Sequence, residues 1–110
     1  MQIPEELYEA HAELCKIFTS PVRLKILDML RDGEKSVAEI ANQLHTTQPN
    51  ASQHLALMRK AGIIVARREG NNTYYSLRNS KILKAFDTIR EMLTEQILEK
   101  HQPIIKSSRR

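Results

Sequence analysis

Residues 36–62 read SVAEIANQLHTTQPNASQHLALMRKAG, and this stretch decides the fold. Ser36 and Glu39 fit the S-x-x-E capping box that begins a helix. Apolar residues then follow at helical spacing and form one stripe, namely Val37, Ile40, Ala41 and Leu44. After the polar break, Thr46 or Thr47 can cap a second helix, whose first turn tolerates a proline. Two short helices separated by a polar turn are the sequence form of a helix-turn-helix.

The second helix of this pair has an apolar face and a polar face. Ala51, Leu55 and Met58 are predicted to point inward. The same spacing places on the opposite side Pro49, Ser52, Gln53, Ala56 and Lys60. Glutamine and serine can donate hydrogen bonds to base edges in a DNA major groove and accept them there. The polar face is therefore predicted to read DNA, and the alternative is a solvated face on an ordinary helical hairpin.

A β-hairpin is predicted directly after this stretch. Residues 63–68 (IIVARR) and 73–77 (TYYSL) have strand composition, and residues 70–72 (GNN) have turn composition. Two arginines precede the turn and two asparagines are predicted to form its tip: Arg67, Arg68, Asn71 and Asn72. Such a tip can reach a phosphate or the adjacent minor groove. The alternative is a solvated turn with surface arginines.

The helix-turn-helix and the hairpin together predict one DNA-binding surface. Arg59 and Lys60 end the second helix, where basic side chains can contact phosphates or complement the helix dipole. The predicted contact residues are Thr47, Gln48, Pro49, Asn50, Ser52, Gln53, Arg59, Lys60, Arg67, Arg68, Asn71 and Asn72.

Further helices are predicted on either side of this surface. Pro4 begins an amphipathic segment, and Ser20 and Pro21 fit the cap and first residue of the next helix, which Gly33 ends. The apolar face of the helix that Pro21 begins is predicted to comprise Val22, Ile26, Met29 and Leu30. A long helix is predicted from Asn79 or Ser80 to about Lys100, with Pro103 ending it. Residues 1–102 are thus predicted to form the DNA-binding and dimerisation domain, followed by a mobile basic tail at 103–110.

The first and last helices carry wide apolar faces. A chain of 110 residues buries a modest core, so pairing these faces with those of a second copy is the economical solution. The alternative is that both helices cap their own monomer core. The predicted dimer interface comprises Leu7, Leu14, Ile82, Phe86, Ile89 and Leu93.

Composition narrows the class of protein. A net charge of +4 suits a polyanionic partner, although its placement matters more than its total. The single Cys15 excludes an intramolecular disulfide and a multi-cysteine zinc site. The sequence contains no glycine-rich phosphate loop, no convincing nucleophile–base pair and no paired carboxylates in an expected cleft, so we expect no enzyme and no cofactor. With neither a signal peptide nor a membrane-spanning run, the expected location is the cytoplasm.

The chain resembles the ArsR/SmtB family of winged-helix repressors. The likeness lies in ELCKIFTSPVRLKILDML, SVAEIANQL, TTQPNASQHLALMRKAGII and RREGNNTYYSL, which together extend roughly from Glu13 to Leu93. Its most specific parts are TQPNASQHL and the arginine-glycine-tyrosine hairpin. The resemblance implies a homodimeric repressor that binds an operator with dyad symmetry and releases it when an inducer binds. It also implies that the first and last helices form the dimer interface.

The metal-binding patterns of the family are absent from this sequence. The segment SVAEIANQL lacks the cysteine pair of one sensor site, and the final helix lacks the Asp and His set of another. His11 and Cys15 lie at i, i+4, but two ligands do not close a site unless a dimer supplies two pairs. We expect instead a buried or half-buried Cys15 and a surface His11, with redox sensing by Cys15 as a further alternative. Zinc, cadmium and arsenite are therefore not expected to release DNA.

The sequence predicts a mostly α-helical winged helix-turn-helix protein that dimerises through its terminal helices. We expect it to bind double-stranded DNA sequence-specifically as a transcriptional regulator, a repressor released by an inducer. The alternative is a winged-helix module that binds protein, but such a face should carry large apolar anchors. His45 and His54, at the turn and on the second helix, are expected to meet DNA or solvent rather than a metal.

Overall fold

The computed structural model describes residues 2–101, which form two compact units separated between Asn79 and Ser80. The first unit contains helices and a small sheet, and the described part of the second is a single long helix. The elements are α1 Glu5–Ile17, α2 Pro21–Met29, a 3₁₀ turn Leu30–Asp32, β1 Lys35–Ser36, α3 Val37–Gln43, α4 Gln48–Lys60, β2 Ile64–Glu69, β3 Asn72–Leu77 and α5 Lys81–His101. The predicted mostly helical class is confirmed. The predicted Pro103 stop and the 103–110 tail lie outside the described residues.

Local side-chain caps begin the helices where the sequence predicts them. The Ser20 hydroxyl accepts a hydrogen bond from the Arg23 backbone N–H at 3.4 Å, and Pro21 occupies the first turn of α2. In the capping box of α3, Ser36 Oγ accepts from the Glu39 N–H at 3.1 Å, and Glu39 Oε1 accepts from the Ser36 N–H at 2.9 Å. Because its carboxylate accepts this backbone hydrogen bond, the pKa of Glu39 lies below its ordinary 4.5.

Each helix of the helix-turn-helix is followed by a residue with left-handed backbone conformation. After α3, His45 has φ 56°, and its N–H donates to Asn42 O at 3.1 Å while the Thr46 N–H donates to Ala41 O at 3.0 Å. After α4, Gly62 has φ 79° and makes the same pair of hydrogen bonds with its neighbour. These are Schellman motifs, which satisfy the last carbonyls of a helix and turn the chain sharply.

The core lies where α2, α3, α4 and β2 meet within the first unit. Its largest fully buried side chains are Ile26, Leu27, Ile40, Leu55, Met58 and Ile64. The inward face predicted for α4 is confirmed, since Ala51, Leu55 and Met58 are all buried. In α2 the prediction was partly wrong. Leu27, which it omitted, is buried because it lies next to Ile26 on the same wide face, whereas Val22 and Met29 are only half-buried.

The hairpin belongs to a three-stranded antiparallel sheet in the order β1-β3-β2. The sequence did not predict β1, which is only two residues long and is defined by its pairing with β3. In the hairpin Glu69 pairs with Asn72, so the turn consists of Gly70 and Asn71 alone. The prediction that Asn72 forms part of the tip is therefore wrong, because the two-residue turn places it in β3.

Within the described residues the second unit consists mainly of α5, which has no buried residue. Its exposed apolar side chains are Ile89, Met92, Leu93, Ile97 and Leu98. Nearer its amino end, Ile82, Leu83 and Phe86 are half-buried. No helix within residues 2–101 is both long enough and apolar enough to cross a membrane.

The α3 capping box gives the first prediction. Replacing Ser36 with Ala removes the acceptor for the Glu39 N–H, and we expect a loss of about 1 kcal/mol in the free energy of unfolding. Urea denaturation at a fixed protein concentration measures the loss. The control Asn42→Ala, on the exposed surface of the same helix, should not destabilise the protein. Equal unfolding free energies for Ser36→Ala and wild type would show that the box contributes nothing.

Candidate nucleic-acid interface

The rotation of α4 is fixed by its buried side, and this leaves one polar face exposed. Its exposed residues include Gln48, Pro49, Ser52, Gln53, Ala56 and Lys60. Within residues 2–101, the side chains of Gln48, Ser52 and Gln53 have no hydrogen-bond partner. They therefore present free donors and acceptors along an exposed helix face, which is what base-edge recognition requires.

The amino end of α4 is held by its own cap. Thr47 Oγ1 accepts from the Asn50 backbone N–H at 3.2 Å, and the Asn50 side-chain amide donates to Thr46 Oγ1 at 2.8 Å. The cap thus uses part of the hydrogen-bonding capacity of Thr47 and Asn50. Both side chains are exposed, so their remaining lone pairs face solvent.

Basic side chains lie at the other end of α4 and on the hairpin. Arg59 and Lys60 are exposed in the last turn of the helix. Arg68 is exposed near the end of β2, and its side chain has no partner in the described part of the chain. Asn71 is exposed in the turn, next to Gly70, whose φ of 61° favours glycine. The sequence-predicted contact residues are thus exposed and lie on α4 and the hairpin.

Arg67 differs from the other predicted contact residues because its guanidinium is already engaged. Nε and Nη2 donate to the Glu34 carboxylate at 3.0 and 2.8 Å, and Nη1 donates to Glu69 Oε2 at 3.0 Å. The guanidinium also lies 4.8 Å from the centroid of the Tyr74 ring. Its role in DNA contact stays a prediction.

His54 lies on the side of α4 that faces α2. It is half-buried, and its Nδ1 accepts a hydrogen bond from Arg23 Nε at 3.3 Å. Arg23 Nη1 also donates to the Ile17 carbonyl at 3.2 Å and so joins the end of α1 to this pair. The expectation that His54 meets DNA or solvent did not include this contact with Arg23 and stays a prediction. The spacing could have revealed its half-buried position, since His54 lies three residues after Ala51 and four before Met58, within the inward stripe.

The candidate metal residues, His11 and Cys15, both lie on α1. Cys15 is exposed, as is His11, so the expectation of a buried or half-buried Cys15 is wrong. The reason is that α1 contributes no buried residue, and its apolar side lines an open groove with the end of α4. That groove of about 930 Å³ is lined by Leu7, Ala10, His11, Glu13, Leu14, Ile17, Leu57, Lys60 and Ala61. Within residues 2–101, no three His, Cys, Asp or Glu side chains converge as a metal site would require.

Comparison with known proteins agrees with this geometry. The sequence model of a family described as "Bacterial regulatory protein, arsR family" matches residues 20–65. The transcriptional repressor SmtB of Mycobacterium tuberculosis is 36% identical over 74 residues, which are 67% of this chain but only 55% of SmtB. The chain therefore spans little more than half the length of that relative.

Two solved structures are similar over nearly their whole length. The crystal structure of Rv0081 from M. tuberculosis is 32% identical, with a TM-score of 0.78, covering 88% of this chain and 98% of Rv0081. The solution structure of Mb0332 from Mycobacterium bovis has a TM-score of 0.78 at 28% identity and covers 89% and 93% of the two chains. Mb0332 is described as a homodimeric winged helix-turn-helix DNA-binding domain and a possible ArsR-family transcriptional regulator.

The exposed pair on α1 gives a prediction about metals. A tight zinc or cadmium site needs three or four ligands converging at about 2.0–2.3 Å, and α1 offers two. We expect calorimetric titration of the reduced protein with either ion to show no stoichiometric tight binding. Tight binding that disappears in Cys15→Ser but persists in the control Ser52→Ala would contradict this and identify His11 and Cys15 as shared ligands of a dimer.

Proposed function

This chain belongs to the arsR family of regulatory proteins, and on that premise we propose that it is a transcriptional regulator that binds double-stranded DNA sequence-specifically. The observation that carries the proposal is the exposed face of α4, where Gln48, Ser52 and Gln53 present unengaged hydrogen-bonding groups. A recognition helix inserts such a face into the major groove. SmtB, a relative by sequence, is named a repressor, and we propose repression, relieved by an inducer, as the mode of action.

The proposed interface assigns different roles to its residues. Gln48, Ser52 and Gln53 read base edges, and the small Ala56 lets the helix approach the groove closely. Thr47, Pro49 and Asn50, at the start of α4, lie near the DNA backbone. Phosphates are contacted by Arg59, Lys60, Arg68, Asn71 and Asn72, with Arg67 beside them. We propose that the protein works in the cytoplasm and acts by binding rather than by catalysis.

A protein-binding module is the competing function, and the composition of α4 argues against it. A protein-docking face carries large apolar anchors at its centre. The large exposed apolar residue of α4, Leu57, lies at the edge of the polar face, where it lines the groove with α1. The polar face itself offers amides, a hydroxyl and a lysine, which suit a polar and negatively charged partner.

We further propose that the chain acts as a homodimer. Both terminal helices carry apolar faces that their own units leave uncovered, with Leu7 56% and Leu93 46% exposed. Pairing with a second copy would bury them, and the homodimeric Mb0332 supports this assembly. The proposed interface uses Leu7, Leu14, Ile82, Phe86, Ile89 and Leu93. A two-fold dimer places half-sites about one helical turn apart, roughly 10–10.5 bp or a multiple.

The DNA-binding proposal is tested by selection of duplexes from a random pool, followed by binding assays at several salt concentrations. We expect an inverted repeat. Gln53→Ala should weaken the best site by about 1–3 kcal/mol and relax sequence preference. Arg68→Ala should weaken all duplexes alike and lower the salt slope by about one unit. The controls Gln96→Ala and Lys84→Ala remove an amide and a cation from exposed positions of α5, which are not among the proposed contact residues, and should bind like wild type. Failure to select any duplex would refute the proposal.

The dimer is tested by sedimentation. Leu93→Glu adds a charge to the exposed apolar face of α5 and should yield monomers, because an unpaired charge cannot be buried at low cost. The control Thr94→Glu adds the same charge at the neighbouring exposed position and should remain dimeric. A wild-type protein that sediments as a stable monomer at micromolar concentration would rule out the dimer.

A further inference from the structure

One row of side chains crosses all three strands of the sheet. Arg67 of β2 pairs in register with Tyr74 of β3, and Tyr74 pairs on its other side with Ser36 of β1. Residues opposite one another in a sheet project from the same face. The Arg67 side chain extends along this row over the Tyr74 ring and meets Glu34, two residues before Ser36. It therefore connects the hairpin edge of the sheet to the edge that leads into α3.

The contact between Arg67 and Glu34 is a bidentate ion pair, which forms only when the two groups are closely aligned. Two nitrogens of one guanidinium meet the two oxygens of one carboxylate, at 3.0 and 2.8 Å, which is the bidentate arrangement. The third nitrogen donates to Glu69 at 3.0 Å, so every nitrogen of Arg67 already has a carboxylate oxygen. Three of the five N–H donors of Arg67 are thus engaged, so a phosphate could meet this guanidinium only through the second hydrogens of Nη1 and Nη2 or by displacing a carboxylate.

An exposed ion pair ordinarily contributes little, because ordering two long side chains opposes the attraction. Here Arg67 is half exposed and Glu34 about one-third exposed. Three features reduce the ordering cost: the bidentate fork, the second carboxylate from the same strand, and the aromatic ring beneath the guanidinium. The hydrogen bond from Arg67 lowers the pKa of Glu34 below its ordinary 4.5, and Glu34 with Glu69 raises the pKa of Arg67.

The position of Glu34 makes this contact a link between the hairpin and the helix-turn-helix. Glu34 immediately precedes β1, and Ser36 of β1 is also the cap of α3, the first helix of the helix-turn-helix. β1 is only two residues long, so few backbone hydrogen bonds hold this edge to β3. The Arg67–Glu34 contact adds a side-chain link between the hairpin and the start of α3, across 33 residues of sequence.

We propose that Arg67 and Glu34 are positioning residues, which hold the hairpin at a fixed angle to the helix-turn-helix so that Arg68 and Asn71 meet the DNA backbone. This inference rests on the proposed function. It predicts an effect on DNA binding opposite to the one expected from the charge of Glu34 alone. Removing the negative charge of Glu34 from a surface near DNA should weaken DNA binding, whereas charge alone would strengthen it.

The test compares Glu34→Gln with Asp32→Asn on the selected operator. Both changes remove one negative charge from the same short segment, but Asp32 has no side-chain partner within residues 2–101. We expect Glu34→Gln to weaken binding roughly 3- to 10-fold, a loss between that of an ordinary exposed ion pair and that of a hydrogen bond to a charged group. Asp32→Asn should bind as well as wild type or better. Tighter binding by Glu34→Gln would overturn the inference and make Arg67 a phosphate ligand that Glu34 restrains.

The salt dependence of Arg67 variants separates positioning from phosphate contact. Arg67→Gln should weaken binding with an unchanged salt slope, whereas loss of a phosphate ligand lowers the slope by about one unit. Arg67→Lys keeps the charge but lacks the fork, and it should behave like Glu34→Gln. Combining Glu34→Gln with Arg67→Gln should cost no more than one change alone, because both break the same contact. A lowered slope for Arg67→Gln, or additive losses, would overturn the inference.

A measurement without DNA separates this inference from the proposed function. In an NMR titration, the Glu34 carboxyl should titrate below 4.5 in wild type and move upward in Arg67→Gln. The lowered pKa means that the contact stabilises the hairpin above that range and is lost as the pH falls through it. The amides of Gly70 and Asn71 should shift in Glu34→Gln and not in Asp32→Asn. Unchanged hairpin amides would overturn the inference, whereas a wild-type chain that selects no duplex overturns the proposed function as well.

Discussion

Burial of one side of α4 is the constraint on which the rest of the structure depends. Ala51, Leu55 and Met58 have essentially no exposed surface, and together they fix the rotation of the helix about its axis. With that rotation fixed, the residues half a turn away must face outward, whatever they are. The chain places amides and a hydroxyl there. The packing of the core and the chemistry of the outer face are thus two consequences of a single helical period.

The elements around α4 restrict its remaining freedom. The Schellman turns at His45 and Gly62 determine where it starts and stops, and Arg23 contacts it through His54 while also contacting the end of α1. On the other side of the core, the sheet connects to α3 through the cap at Ser36. The outer face of α4 is therefore held by contacts that are almost all made behind it, which leaves its own side chains unengaged.

The sequence predicted what is local. The caps at Ser20, Ser36 and Thr47 depend on residues three positions apart, and helical spacing identified the buried face of α4. It could not predict contacts between distant segments. The strand β1 exists only through its pairing with β3, and the engagement of Arg67 depends on Glu34, far away in sequence. Asn72 was misplaced because the exact register of a hairpin follows from the length of its turn, and Cys15 because the environment of α1 is set by tertiary packing.

The left-handed backbone at His45 has a consequence for how such a chain can vary. A residue with φ 56° is costly for most side chains, least so for glycine and for asparagine, aspartate or histidine, and most for β-branched residues. His45 is exposed, so its side chain is not restricted by packing. The position is thus permissive in chemistry and strict in conformation. The residues on the outer face of α4 are the reverse, because what they can recognise depends on their chemistry and hardly on their backbone. Substitutions on the outer face of α4 can therefore change what the protein recognises without altering the turn at His45 that positions the helix.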